Sequence, residues 1–227
     1  MRQQLADRVE RDVTISAGGA PLAGDLTVPA GANGVVLFAH GSGSSRASPR
    51  NVWVAARLAR AGLATLLFDL LTSDEERRDV QTREHRFDIA LLSQRLVVAT
   101  DWVDAEPELR ELPIGYFGAS TGAAAALVAA AERRGRIGAV VSRGGRPDLA
   151  GVDALARVAA ATLLVVGGND DVVIDLNRRA LAAMQCEKRL EIVPGATHLF
   201  EEPGALEQVA TLASQWLVEF LVVQAAR

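Results

Sequence analysis

The sequence predicts an α/β domain: a mostly parallel sheet with helices on both faces. Two observations predict it. Apolar runs recur at 34–39, 63–69, 112–118, 137–142, 161–168 and 188–195, near-continuously apolar and β-branched, as strands covered on both faces must be. Between most of them lies a longer segment with helical spacing. That alternation gives parallel strands joined by right-handed crossovers.

The chain opens differently from the rest. "DVTISA" and "LAGDLTVP" alternate in polarity around the turn "GGAP", the pattern of a two-stranded hairpin. "GVVLFA" begins the apolar strands, and the helix "PRNVWVAARLARAG" follows, with proline at its start and glycine at its end. After the strand "LATLLFD", the charged run "SDEERRDVQTREHR" (73–86) is expected to be a solvated loop, with a flap over a site as the alternative. The helix "FDIALLSQRLVVATDWVDA", the strand "LPIGYFG" and the helix "STGAAAALVAAAERRG" come next. Then follow the strand "IGAVVS", a short helix "AGVDALARVA", the strand "ATLLVVGG" and the helix "VVIDLNRRALAAMQ". The strand "KRLEIVPG" and the helix "GALEQVATLASQWLVEFLVVQ" close the chain. No linker-like stretch or repeat divides it, so residues 1–227 are expected to form a single domain.

Hydrophobic residues make up 49% of the 227, enough for a substantial core, but aromatics only 4%, so that core must be mostly Ala, Val and Leu. A net charge of −4 leaves no electrostatic footprint for nucleic acid, and a small molecule is the expected partner. "MRQQLADRVERDV" lacks the apolar stretch of a secretory signal, and no run approaches the roughly 18 apolar residues of a membrane span. The single cysteine, Cys186, can form no intrachain disulfide and is expected to be a packing residue. A reducing cytoplasm suits this usage. Nothing calls for a metal or another cofactor.

The strongest chemical signal is Gly118-Ala119-Ser120-Thr121-Gly122, a G-x-S-x-G pattern where an apolar strand ends and a small-residue helix begins. That context is what a nucleophile elbow needs: a sharp turn that lifts the serine Oγ above the sheet, with glycines where Cβ atoms would collide. A serine hydroxyl needs a base to take its proton. Of His40, His85 and His198, only His198 lies downstream of Ser120, in "VPGATHLFEEP" after the last strand. The order serine, acid, histidine fits this architecture. The acid is expected in "LLVVGGNDDVV", at Asp170 or Asp171. Asp171 opens a helix and has a capping role to fill, which favours Asp170 as the partner of His198.

Together these residues resemble the α/β-hydrolase fold and, more narrowly, the dienelactone-hydrolase-like family. The resemblance spans nearly the whole chain, through "FAHGSGSSRASPRN", "FDIALLSQRL", "GYFGASTGAAAAL", "VVSRGGRPDLAG", "LLVVGGNDDVVIDLN" and "IVPGATHLFEEPGALE". It implies an eight-stranded sheet whose first strands are antiparallel, and a triad of Ser120, Asp170 and His198. True dienelactone hydrolases carry cysteine as nucleophile, whereas this chain has Ser120. The implied reaction is therefore hydrolysis of a small carboxylic ester, with a thioesterase or a lactonase as alternatives using the same triad. The chain also resembles hydrolase modules joined to a phosphoribosyltransferase-like domain. A hydrolase-fold binding or regulatory protein acting with such a partner is the remaining alternative.

The loop "HGSGSSRAS" after the third strand lacks the lysine of a phosphate-binding loop and has Arg46 where a dinucleotide fingerprint needs glycine. In this architecture it is expected to supply half of an oxyanion hole, through the N–H of Ser42 or Gly41, facing that of Thr121. His40 is expected to hold the loop rather than act as base. Arg143 and Arg146 in "VVSRGGRPDLAG" are candidates for a substrate carboxylate, which the guanidinium fork suits. The next helix follows within a few residues of this strand, so no cap domain is expected and the site should be open.

Overall fold

The computed structural model describes residues 8–223. Residues 1–7, part of the segment without a secretory signal, and Gln224, the end of the last predicted helix, lie outside the described residues.

Eight strands form one sheet: β1 (Arg8–Ala17), β2 (Ala20–Pro29), β3 (Val35–Ala39), β4 (Ala64–Phe68), β5 (Ile114–Ala119), β6 (Ile137–Arg143), β7 (Ala161–Gly167) and β8 (Lys188–Val193). Their order is β1-β2-β4-β3-β5-β6-β7-β8. The β1–β2 hairpin is antiparallel, with Ala17 opposite Ala20 across the Gly18-Gly19 turn. β2 pairs antiparallel with β4, and every later pairing is parallel. The sheet is thus the mostly parallel one that the sequence predicts.

Each central strand is buried on both faces, which is why its residues are continuously apolar. On one face Val36, Phe38, Phe117, Val141 and Val165 meet helices α1 (Pro49–Arg60) and α7 (Ala205–Val218). On the other, Leu37, Tyr116, Val140 and Leu164 meet α3 (Ile89–Ala105), α4 (Thr121–Glu132), α5 (Val152–Arg157) and α6 (Asp171–Ala183). α4 is alanine-rich because it runs through the middle of the molecule, with ten of its twelve residues buried. Between β6 and β7 only a 3-10 turn (Pro147–Ala150) and α5 intervene, so no cap domain is inserted there.

Two local expectations are corrected. The charged run at 73–86 is largely helical: α2 spans Ser73–Thr82. Its start is set by a capping box, in which Thr72 Oγ1 accepts from the Glu75 N–H while the Glu75 carboxylate accepts from the Thr72 N–H. Asp79 is its one buried residue, so α2 has almost no apolar stripe and shows no helical hydrophobic period. The second correction concerns α6. Asp171 is its first helical residue rather than its cap; Asp170 occupies the N-cap position, and its side chain makes no capping bond.

Candidate active site

Ser120 sits between β5 and α4 with φ 51° and ψ −120°, a left-handed φ rarely tolerated outside glycine. Such a conformation costs on the order of 1–3 kcal/mol and persists only where the surroundings hold it. Here they do. The Ser120 N–H donates to the Arg143 carbonyl at 3.2 Å, and the Ser120 carbonyl accepts from the N–H groups of Ala123 and Arg146, each at 3.1 Å. The flanking glycines are required by close approach. A Cβ on Gly118 would lie 2.4 Å from Ala123 Cα, and one on Gly122 would lie 2.2 Å from the Ala39 carbonyl oxygen.

Asp170 and His198 follow β7 and β8, which are neighbours in the sheet. His198 Nδ1 donates to Asp170 Oδ2 at 2.7 Å. The carboxylate fixes the tautomer, leaving Nε2 as the acceptor. Asp170 is thus the residue joined to His198, while Asp171 lies exposed in the first turn of α6. The two loops interlock: a Cβ on Gly167 would fall 2.5 Å from both the Ala196 and Thr197 carbonyls. The end of β6 ties this pair to the serine. A Cβ on Gly144 would sit 3.0 Å from the His198 carbonyl and 3.6 Å from its Cε1, one residue beyond the carbonyl that holds the Ser120 N–H. His198 and Ser120 are not hydrogen-bonded to each other, a geometry that commonly tightens only with substrate bound.

The loop after β3 lies against the serine, since a Cβ on Gly41 would come 3.1 Å from Ser120 Cβ. Among the described residues, neither the Ser42 N–H nor the Thr121 N–H donates to a backbone carbonyl, so both are available to an anion. The loop is fastened at two points. His40 is buried; its Nε2 accepts from the Leu70 N–H at 3.0 Å, and Nδ1 therefore carries the proton and donates to the Gly41 carbonyl at 3.0 Å. Burial lowers its pKa, keeping the ring neutral against the opposing pull of that carbonyl. The second fastening was not legible in the sequence. Asp69, just beyond β4, accepts from the Arg46 N–H at 2.8 Å and from its guanidinium at 2.5 Å, while Arg46 Nε reaches Asp25 at 3.2 Å. An Arg and an Asp 23 residues apart carry no local pattern; only the β3–β4 neighbourhood joins them.

The two arginines part company. Arg146 is engaged by Asp148 in a fork of 2.8 and 2.7 Å. Arg143 is 7% exposed and has no carboxylate partner among the described residues. Its Nη2 reaches Asn51 Oδ1 only at 3.4 Å, its Nε is buried without a partner, and its Cζ lies 6.0 Å from the Phe200 ring centre. Burial, and secondarily the charge of Arg50, pull its pKa down to about 10. His85 and Cys186 stand apart from this site: His85 follows α2 beside Glu84, and Cys186 is half-buried next to Thr162.

A serine-bearing elbow, a histidine held by a strand-end carboxylate and no inserted cap, all on this sheet order, define an α/β hydrolase. The dienelactone hydrolase family matches residues 22–221, and the chain belongs to it. A crystal structure of dienelactone hydrolase from Anabaena variabilis shares 60% identity with a TM-score of 0.93, covering 95% of this chain and 99% of that one. Est1E from Butyrivibrio proteoclasticus shares the fold at 18% identity, with a TM-score of 0.78 over 95% of this chain and 99% of its own. A Mycobacterium tuberculosis protein provisionally named a phosphoribosyl transferase is 58% identical over 212 residues, 93% of this chain and 47% of that protein. The chain therefore spans about half the length of that relative. Among the described residues, no helix is long and apolar enough to cross a membrane.

Proposed function

We propose that this protein is a serine hydrolase of small carboxylic esters, with Ser120 as nucleophile, His198 as base and Asp170 as its orienting acid. The observation that carries this reading is the 2.7 Å Asp170–His198 hydrogen bond beside a serine held at positive φ. His198 Nε2 takes the Ser120 proton as Oγ attacks the ester carbonyl. The tetrahedral oxyanion is met by the N–H groups of Thr121 and Ser42, with the Gly41 N–H as the alternative donor from the same loop. One such donor is worth about 2.7–4 kcal/mol in the transition state. His198 then protonates the departing alkoxide, and water hydrolyses the acyl-enzyme by the same route reversed. Thioester or lactone cleavage needs no further group.

Arg143 extends the proposal to an anionic substrate. A buried guanidinium without a counter-ion is costly to maintain, and a substrate carboxylate would neutralise it. Arg146, matched to Asp148, drops out of this role. The chain's single cysteine and net charge of −4 fit a cytoplasmic enzyme of small molecules, with neither nucleic acid nor membrane as partner.

A fluorophosphonate probe should label Ser120, and Ser120→Ala should abolish both labelling and ester hydrolysis. Retention of hydrolysis in that variant would sink the proposal. A second reading, a module working with a phosphoribosyltransferase-like partner, is favoured by the coverage of the mycobacterial relative alone. Purification of the chain from its own cells without any such protein would remove that support.

A further inference from the structure

We infer that the Thr121 hydroxyl is a further donor to the oxyanion, acting beside the N–H groups of Thr121 and Ser42. The inference rests on the serine-hydrolase reading and deepens it. Thr121 is the first residue of α4 and is 2% exposed. Its Oγ1 is buried and makes no hydrogen bond among the described residues. A buried hydroxyl without a partner is destabilising, so its retention calls for a reason.

Its place in the chain explains why it is unpartnered. Further along their helices, Thr82, Thr100 and Thr211 each donate to the carbonyl four residues back, at 3.1, 2.9 and 2.9 Å. Thr121 has no helical turn behind it, because the residue four back, Phe117, lies in β5. Instead Thr121 shares with Gly41, Ser42 and Leu92 the wall of a cavity of about 10 Å³. That is room for little more than one oxygen atom, at the place where the reaction would form its anion.

Other groups in that wall leave the hydroxyl free. His40 has both ring nitrogens engaged, and the Gly41 carbonyl accepts from His40 and from the Ser44 N–H. Arg86 is tied to Asp79, Nε to Oδ2 at 2.6 Å, and Glu76 is not bonded to Thr121. Ser142 is the other buried hydroxyl without a partner among the described residues, but it is no part of this wall. It lies under Gly145, where an added Cβ would fall 2.0 Å from its Oγ.

A hydroxyl proton turns about its C–O bond, so Oγ1 can present it to a charge as that charge forms. An ester carbonyl offers it little, whereas the tetrahedral oxyanion offers a full charge, so the bond strengthens in the transition state. Acylation and deacylation both pass through such an oxyanion. The contribution therefore shows in kcat whichever step limits turnover.

The test is kcat and KM for p-nitrophenyl acetate in the wild type, Thr121→Val, Thr121→Ala and Thr121→Ser, each checked for folding by circular dichroism. All three variants keep the backbone N–H. Thr121→Val is nearly isosteric and should lower kcat about tenfold to a hundredfold, with KM within about twofold. Thr121→Ala removes the same hydroxyl and supplies the reading should Thr121→Val not fold. Thr121→Ser keeps the hydroxyl and should hold kcat within about threefold. An unchanged kcat in either folded hydroxyl-free variant, with Ser120 still labelled by a fluorophosphonate, overturns this inference alone. So does a Thr121→Ser enzyme as slow as those two, since the methyl group would then carry the effect. A wild type that neither hydrolyses the ester nor is labelled at Ser120 overturns the serine-hydrolase reading itself, and this inference with it.

Discussion

Arg143 illustrates how one side chain can be tuned by what it lacks. Its neighbour three residues on, Arg146, has the same charge and a carboxylate in its fork, and is an ordinary surface pair. Arg143 is buried against Asn51 and Phe200 with its Nε unpartnered, so the fold bears a desolvation cost, which the proposed substrate carboxylate would relieve. Two opposite effects should follow from Arg143→Met. The melting temperature should hold or rise, because a buried uncompensated charge is replaced by a side chain of similar length. Meanwhile kcat/KM for an ester carrying a carboxylate should fall about tenfold or more relative to a neutral ester of the same size, the worth of a hydrogen bond to a charged group. Equal losses on the two esters would show that Arg143 serves packing alone.

At the level of elements, the site depends on how closely β3, β5 and α4 approach one another. Gly122 is the tightest point, because a methyl there meets the backbone oxygens of Ala39 at 2.2 Å and His40 at 2.4 Å, neither of which can rotate away. Gly122→Ala should therefore destabilise by about 1–3 kcal/mol, at the upper end of the range for overpacking, and should impair the oxyanion loop that leaves β3 at the same place. Thermal melts beside esterase assays check both; an unchanged melting temperature would mean β3 and α4 are more loosely packed than described. α2 shows the opposite logic. It has no core face, and its position comes from polar ties: the Thr72–Glu75 cap, the Glu75–Arg95 pair at 2.8 Å and the Asp79–Arg86 pair at 2.6 Å. Charge-rich composition made that helix resemble a solvated loop, because hydrophobic period is the signal a sequence offers and α2 does not use it.

For the whole molecule, His40 couples stability to pH. Its folded-state pKa is lowered, chiefly by burial, whereas the unfolded chain should titrate near the usual value of about 6.5. Below about pH 6.5 the unfolded state binds a proton that the folded state refuses, so stability falls as pH falls, by up to about 1.4 kcal/mol per pH unit, and is flat above it. Protonation would also put an N–H on Nε2 against the Leu70 N–H and release the loop that carries Ser42. Urea midpoints measured on either side of about pH 6.5 should show this slope in the wild type and lose it in His40→Gln. A slope of equal size in the variant would assign it to other groups.

Most of the architecture was legible because the physics that makes it is local. Continuous apolar runs specify strands covered on both faces, intervening helical periods specify parallel crossovers, and G-x-S-x-G between strand and helix specifies the elbow around Ser120. His198 followed from chain order, and the pair Asp170 and Asp171, with Asp170 favoured, from their place after β7. What the sequence alone determined is therefore the kind of fold, Ser120 and His198 as residues proposed for the chemistry, and the two aspartates between which the acid lay. What only the tertiary structure decided is which groups meet across the fold: Asp170 rather than Asp171 on His198, Asp69 on Arg46, Asp148 on Arg146 and, among the described residues, no carboxylate on Arg143. These partnerships form between strand ends far apart in the chain, where no spacing rule operates, and they settle only when the strands have taken their order.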